Sequence, residues 1–217
     1  MQLLTVNVGT PERSEHTGAP GKLTGIGKQP VTGPVRVVAP GPRGEGGSGL
    51  VGDAVCDLRH HGGDEQAVYA YAREDLDAWE KELGRELPAG AFGENLTTLG
   101  VDVNSALLGE RWQVGSAVLQ VSSVRVPCRT FAGHLGEERW VRRFTERALP
   151  GAYFRVVEEG ALAAGDAVKV TWQPEHSVTV GLLFRALTGE PELLPRLAEA
   201  EEWLPEAGLA RLRARAG

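Results

Sequence analysis

The chain has 217 residues, 41% of them hydrophobic, which suits one domain of ordinary size with a real core and room for a small appendage. A formal net charge of −6 argues against general nucleic-acid or membrane-surface binding, which needs clustered Lys and Arg, although 23 basic residues leave a local basic pocket open. Two cysteines are too few for a secreted disulfide framework, no apolar run is long enough to span a bilayer, and residues 1–8 lack a basic flank and apolar stretch of leader type. The expectation is a soluble cytoplasmic protein with reduced thiols.

In chain order, residues 3–8 alternate apolar and polar, as a half-buried strand does. Further strands are expected at 35–38, 51–58, 67–71, 112–114, 118–126, 153–157 and 168–172. Short strands broken by so much Gly and Pro suggest a barrel or sandwich rather than alternating strand–helix units. Residues 41–49 hold five glycines and read as a mobile loop, and no Gly-Lys-Ser/Thr follows to make it a phosphate loop. Leu76, Trp79, Leu83 and Leu87 fall on one helical stripe between residues 73 and 87. Trp140, Val141 and Phe144 mark a second surface helix over 137–149. Beyond Trp172 the composition turns to Ala, Leu, Glu and Arg, and three short helices are expected at 178–187, 192–203 and 206–215. The division expected is a β domain over 1–173 and a docked three-helix segment over 174–217.

Three polar clusters stand out. Cys128 lies in Arg125-Val126-Pro127-Cys128-Arg129, where flanking guanidiniums favour the thiolate, the form that attacks electrophiles or binds a soft metal. The proline biases Val126 to an extended backbone, so the thiol is expected where a strand gives way to a loop. The plain alternative for any free cysteine is a small buried hydrophobe, and Cys56 in its apolar run reads that way. Arg59-His60-His61-Gly62-Gly63-Asp64 joins imidazoles to glycines whose bare N–H groups can face an anion, or forms a solvated turn. Adjacent histidines on a strand point to opposite faces, so one of the pair enters a given pocket unless the chain turns sharply at the glycines. Phe92-Gly93-Glu94-Asn95-Leu96 adds a carboxylate and an amide, and Lys28 a loop cation. Two chemistries fit these parts: a Cys–His hydrolase using Cys128 with His60, His61 or His134, or a metal site completed by the thiolate. Zinc is poorly served, because neither Cys-x-x-Cys nor His-x-x-x-His spacing occurs.

The order Gly52-Asp53, Asp57, His60-His61-Gly62-Gly63-Asp64, Ala67-Val68-Tyr69, Tyr71, then Phe92-Gly93-Glu94-Asn95-Leu96 and Pro127-Cys128 resembles the MOSC family. The name refers to the molybdenum cofactor sulfurase C-terminal domain, and the resemblance is nearest to its YiiM-like branch. It implies a distorted, mainly β barrel with surface helices and a small C-terminal three-helix segment. It further implies a molybdopterin-type molybdenum cofactor with Cys128 as the protein's metal ligand. Lys28, His60, His61, the Gly62 and Gly63 amides, Arg125 and Arg129 would hold the cofactor, and Glu94 and Asn95 would join Cys128 in the catalytic pocket. Similar members reduce N-hydroxylated purine bases, amidoximes and hydroxylamines, a detoxifying role; the alternative is a carrier of sulfur or of the cofactor. No iron–sulfur cysteine set is present, so electrons are expected from a separate flavin reductase or ferredoxin-type partner, with the helical tail a place for it to dock. The 41–49 loop is longer than usual for the family and is expected to shape the pocket mouth.

Overall fold

The computed structural model describes residues 1–216. The first half supplies β1 (Gln2–Gly9), β2 (Glu12–Arg13), β3 (Leu23–Thr24), β4 (Lys28–Pro30), β5 (Val35–Val37) and β6 (Val68–Ala72). Helix α1 (Arg73–Leu83) then leads to β7 (Leu96–Leu99), β8 (Arg111–Val114) and β9 (Ala117–Val124). After α2 (Arg129–Leu135) and α3 (Trp140–Arg147) come β10 (Ala152–Glu158), β11 (Gly160–Leu162), β12 (Val168–Trp172), α4 (Val180–Thr188) and α5 (Glu206–Ala216). Eight strands form one sheet in the order β12-β8-β9-β10-β6-β7-β1-β4, flanked by the pairs β11-β5 and β2-β3.

This is a mixed α/β fold around one large sheet, and its closure into a barrel is incomplete. One edge of β1 pairs with β7, and the far end of its other edge, Asn7–Gly9, is taken by β4. Only the first residues of β1 remain for β12, and they make the single bridge Gln2↔Ala167 with a bond from Val168 N–H to the Met1 carbonyl at 3.1 Å. The sheet thus curls until the chain entering β12 meets the start of β1, without a continuous ladder between the two strands.

Three sequence expectations are corrected. First, β6 and β7 run parallel across α1, a strand–helix–strand unit that the pattern of short strands concealed. Second, residues 51–58 fold as turns: Gly52 takes φ +92, and the N–H groups of His60 and His61 both bond to the Asp57 carbonyl. Third, residues 41–49 pack against the His-His-Gly-Gly turn, with Gly63 N–H on the Gly47 carbonyl at 3.0 Å and Asp64 N–H on that of Gly41 at 2.8 Å.

The helices follow their apolar stripes with shifted bounds. Helix α1 buries Leu76 and Trp79 and stops at Gly84, whose left-handed φ of 67 ends it before the expected Leu87. The 192–203 helix is instead a run of 3-10 turns over Pro191–Trp203, because Pro195 lacks a donor and Ala200 leaves helical geometry. The α4 side chains Val180, Leu183 and Phe184 are fully buried in the same core cluster as Leu3 and Trp112. A block of rings underlies α1 and α3: Phe92 lies 4.9 to 6.2 Å from Tyr71, Trp79, Phe131, Trp140 and Phe144.

Candidate functional site

One cavity of about 670 Å³ gathers most of the polar residues singled out from the sequence. Its wall takes Lys28 from β4, Tyr69 from β6, Asn95 from the turn before β7, residues 125–128 between β9 and α2, Arg129 and Thr130 from the start of α2, and Tyr153 from β10. The turns of residues 53–62 supply Asp53, Cys56, Asp57, Arg59, His60, His61 and Gly62. The β2–β3 hairpin loop covers one side, held by Arg59 Nη2 on the Gly18 carbonyl at 3.2 Å and Arg129 Nη2 on that of Glu15 at 2.9 Å.

Cys128 stands half-buried in the wall, immediately before α2, a helix the sequence did not announce. Three residues earlier, Arg125 is buried, with its guanidinium 4.6 Å from the Phe131 ring centre and 5.2 Å from that of Tyr69. Nη1 donates to the Tyr153 hydroxyl at 3.1 Å, and Nε is buried without an acceptor. Among the described residues no carboxylate forms an ion pair with Arg125. Burial of an unpaired guanidinium is costly, and an anion in the cavity would relieve it.

Both histidines line the cavity, because turns rather than a strand carry them. His60 is exposed at the mouth and His61 is half-buried. Burial, reinforced by the charge of Arg125, lowers the His61 pKa to about 4, so its ring is neutral at pH 7 and acts through hydrogen bonds. Lys28 is buried and ion-paired with Asp53. Burial lowers its pKa while Asp53 opposes the shift.

Several expectations do not survive the geometry. The Glu94 carboxylate, fully buried, accepts from Gly90 N–H at 2.5 Å, Phe92 N–H at 3.0 Å and the Thr97 hydroxyl at 2.9 Å. It organises the 90–97 turn and does not line the cavity, so it is not a catalytic group there. Asn95 reaches the wall, but its amide is engaged: Nδ2 donates to Asp53 Oδ2 at 2.9 Å, and Oδ1 accepts from Tyr69 N–H at 3.1 Å. Its part is to hold, not to react. Gly63 lies behind the wall with its N–H used by Gly47, so it offers no amide to an anion. Gly62 does line the cavity, and its φ of +80 brings it so close to the 41–49 loop that an added Cβ would sit 2.8 Å from the Gly47 carbonyl oxygen. His134 is outside the cavity, which removes one candidate base.

The sequence reading passed over Asp53, Cys56, Tyr69 and Tyr153 as wall residues. Cys56 was assigned to a buried strand; with that strand absent its thiol borders the cavity, its pKa raised by burial. Among the described residues no three His, Cys, Asp or Glu side chains gather to hold a bare metal ion. Nor is any helix among them long and apolar enough to cross a membrane. One thiol beside an unpaired guanidinium, a second cation and a neutral imidazole suits an anionic group that carries its own metal chelate. The volume is of the size such cofactor sites have.

The chain is similar to several known proteins. The family model described as MOSC domain matches residues 57–169. The uncharacterized protein YflK of Bacillus subtilis (strain 168) is 32% identical over 209 residues, covering 93% of this chain and 90% of that protein. The protein YiiM of Escherichia coli (strain K12) is 30% identical over 119 residues, 54% of this chain and 53% of its own length. The crystal structure of YiiM from Geobacillus stearothermophilus superposes with a TM-score of 0.79 at 26% identity, covering 100% of this chain and 99% of that one.

Proposed function

Because the chain belongs to the MOSC domain family, whose members are associated with the molybdenum cofactor, we propose that it binds that cofactor and reduces N-hydroxylated compounds. The observation that carries the reading is the buried, carboxylate-free guanidinium of Arg125 in the same wall as the Cys128 thiol. In this reading Cys128 is the ligand to molybdenum, and Arg125 and Lys28 face the acidic phosphate of the pterin. His61 adds hydrogen bonds from a neutral ring, and His60, Arg59 and Arg129 form the mouth.

Bound there, the cofactor supplies two-electron redox chemistry at molybdenum. The overall reaction is R–NH–OH + 2e⁻ + 2H⁺ → R–NH₂ + H₂O, in which the N–O bond breaks and oxygen leaves as water. The protein's own share is binding and orientation. Arg125 and Lys28 fix the anionic end, while Tyr69 and Tyr153, packed on each other with ring centres 4.9 Å apart, support Arg125 in the wall. Burial holds the His61 ring neutral at pH 7, so it is not the acid that supplies the two protons.

The electrons come, in this account, from a separate flavin reductase or ferredoxin-type protein. Glu192, Glu199, Glu201 and Glu202 are exposed along Pro191–Trp203 and offer such a donor acidic contacts. Deleting the tail is no test, since α4 is part of the core; charge reversal at Glu201 and Glu202 is.

The reading is tested by assaying cofactor-loaded protein with a hydroxylaminopurine and an amidoxime, using a reduced viologen dye as donor. Turnover that disappears in Cys128→Ser supports it. Fully loaded protein that turns over neither substrate rejects the reductase and leaves a carrier of sulfur or cofactor.

A further inference from the structure

Asp53 has a place in this cavity that its exposure alone would not suggest. Its side chain is 1% exposed, yet it meets three separate segments. Oδ1 accepts from Gly9 N–H at the end of β1 at 2.7 Å and also receives the Lys28 ammonium of β4. Oδ2 accepts from Asn95 Nδ2 at 2.9 Å, and Asn95 is itself anchored on the Tyr69 amide of β6. The carboxylate is therefore satisfied on both oxygens and held by neighbouring segments at one end of the sheet, β1, β4 and the turn before β7.

We propose that Asp53 is the positioning residue that keeps Lys28 charged and fixed at the cavity wall as an anion-binding group, with Asn95 as its brace. The assignment rests on the reading of Lys28 as a residue that faces the anionic cofactor. An ammonium has three donors, and one on Asp53 leaves others for a ligand. Without a counter-charge, a buried lysine sheds its proton and loses the ability to bind an anion. The charges that face Lys28 leave this task to Asp53. Arg125 repels the ammonium, Glu94 attracts it from behind the wall with its oxygens already bonded, and the Cys56 thiol stands near as a neutral group raised by burial.

The test is pH-dependent acetylation by acetic anhydride, read at Lys28 by peptide mass spectrometry on cofactor-free protein, with exposed Lys22 as the reference. Only the neutral amine reacts, so the midpoint of the rate–pH curve reports the charge of Lys28 separately from access. The wild-type midpoint stays above pH 7, and in Asp53→Asn it falls by at least about one unit, which is roughly tenfold more neutral amine at a pH below both midpoints. A general loosening would hydrate Lys28 and move its midpoint up, so a fall marks the lost counter-charge, and Lys22 corrects for the reactivity of the reagent. An unchanged Lys28 midpoint in Asp53→Asn overturns the proposal. If that variant does not fold, a wild-type midpoint below pH 7 overturns it alone. Molybdenum content plays no part in this readout, so failure here leaves the cofactor reading standing, whereas failure of the cofactor reading removes the anion-binding role and leaves only the charge pairing of Lys28 with Asp53.

Discussion

Arginine is used in two opposite ways in this molecule. On the face formed by α1 and α3, Arg73 reaches Asp77 at 2.6 Å and Glu80 at 2.7 Å. Arg143 and Arg147 share Glu82 at 2.8 and 2.5 Å, and Arg85 meets Glu137 at 3.0 Å. These groups are partly exposed, and Arg147 also lies over Trp79 at 4.5 Å. At the cavity, Arg125 is buried and has a hydroxyl and two rings but no carboxylate. Water and acidic neighbours make the first set cheap to keep, and each pair is worth little. The second has only the Tyr153 hydroxyl and the faces of two rings to offset its burial, which leaves it open to an anion.

The comparison is broken most severely from beneath. Phe92→Ala empties the centre of the ring block under α1 and α3 and should cost about 3–5 kcal/mol in chemical denaturation. A loss below about 1 kcal/mol would mean the block repacks freely.

Next in size is the pH response of His61. Its pKa is about 4 in the folded chain and near 6.5 in the unfolded one. Between those values only the unfolded chain takes the proton, so stability is full above pH 6.5 and is lost as pH falls through 4. The loss is up to about 3 kcal/mol, less whatever water at the mouth screens. His61→Gln should flatten that part of the stability profile, and an equally steep profile in the variant would assign the effect elsewhere.

Asp75 provides the opposite sign. Burial raises its pKa to about 6, so its folded-state penalty appears as pH rises through 6. Asp75→Asn keeps an acceptor for Asn104 Nδ2, now at 2.7 Å, and should stabilise the protein by roughly 1–2 kcal/mol at pH 7 and hardly at all at pH 4.

Arg125→Met sharpens the contrast. Its stability change should stay within about 1 kcal/mol, because the removed charge had no carboxylate partner and Met keeps packing on the rings. The smallest effect belongs to Arg142→Ala: its pair with Glu146 at 2.7 Å is fully solvated, and no resolvable shift in melting temperature is expected.

The fold class was legible in the sequence, and so were most of the polar residues that the cavity gathers. Cys128, Lys28, His60, His61, Gly62, Arg125 and Arg129 all line one cavity, because their residue types already mark groups with no place in an apolar core. Glu94 misled because a carboxylate beside an amide looks the same whether it faces a ligand or three backbone and hydroxyl donors of its own turn. Asp53 was quoted in a motif without a role, since its partners Gly9, Lys28 and Asn95 converge only when β1, β4 and β7 pair. The parallel β6–β7 pair escaped for a similar reason: local alternation identifies a strand but not its neighbour or its direction.

The most direct measurement is molybdenum per protein molecule after purification from a host that makes the cofactor, comparing wild type, Cys128→Ser and Arg125→Met. The account predicts near-stoichiometric metal in the wild type and loss in both variants, with each still folded by circular dichroism. Molybdenum absent from the wild type under anaerobic handling, or retained in Cys128→Ser, would contradict it.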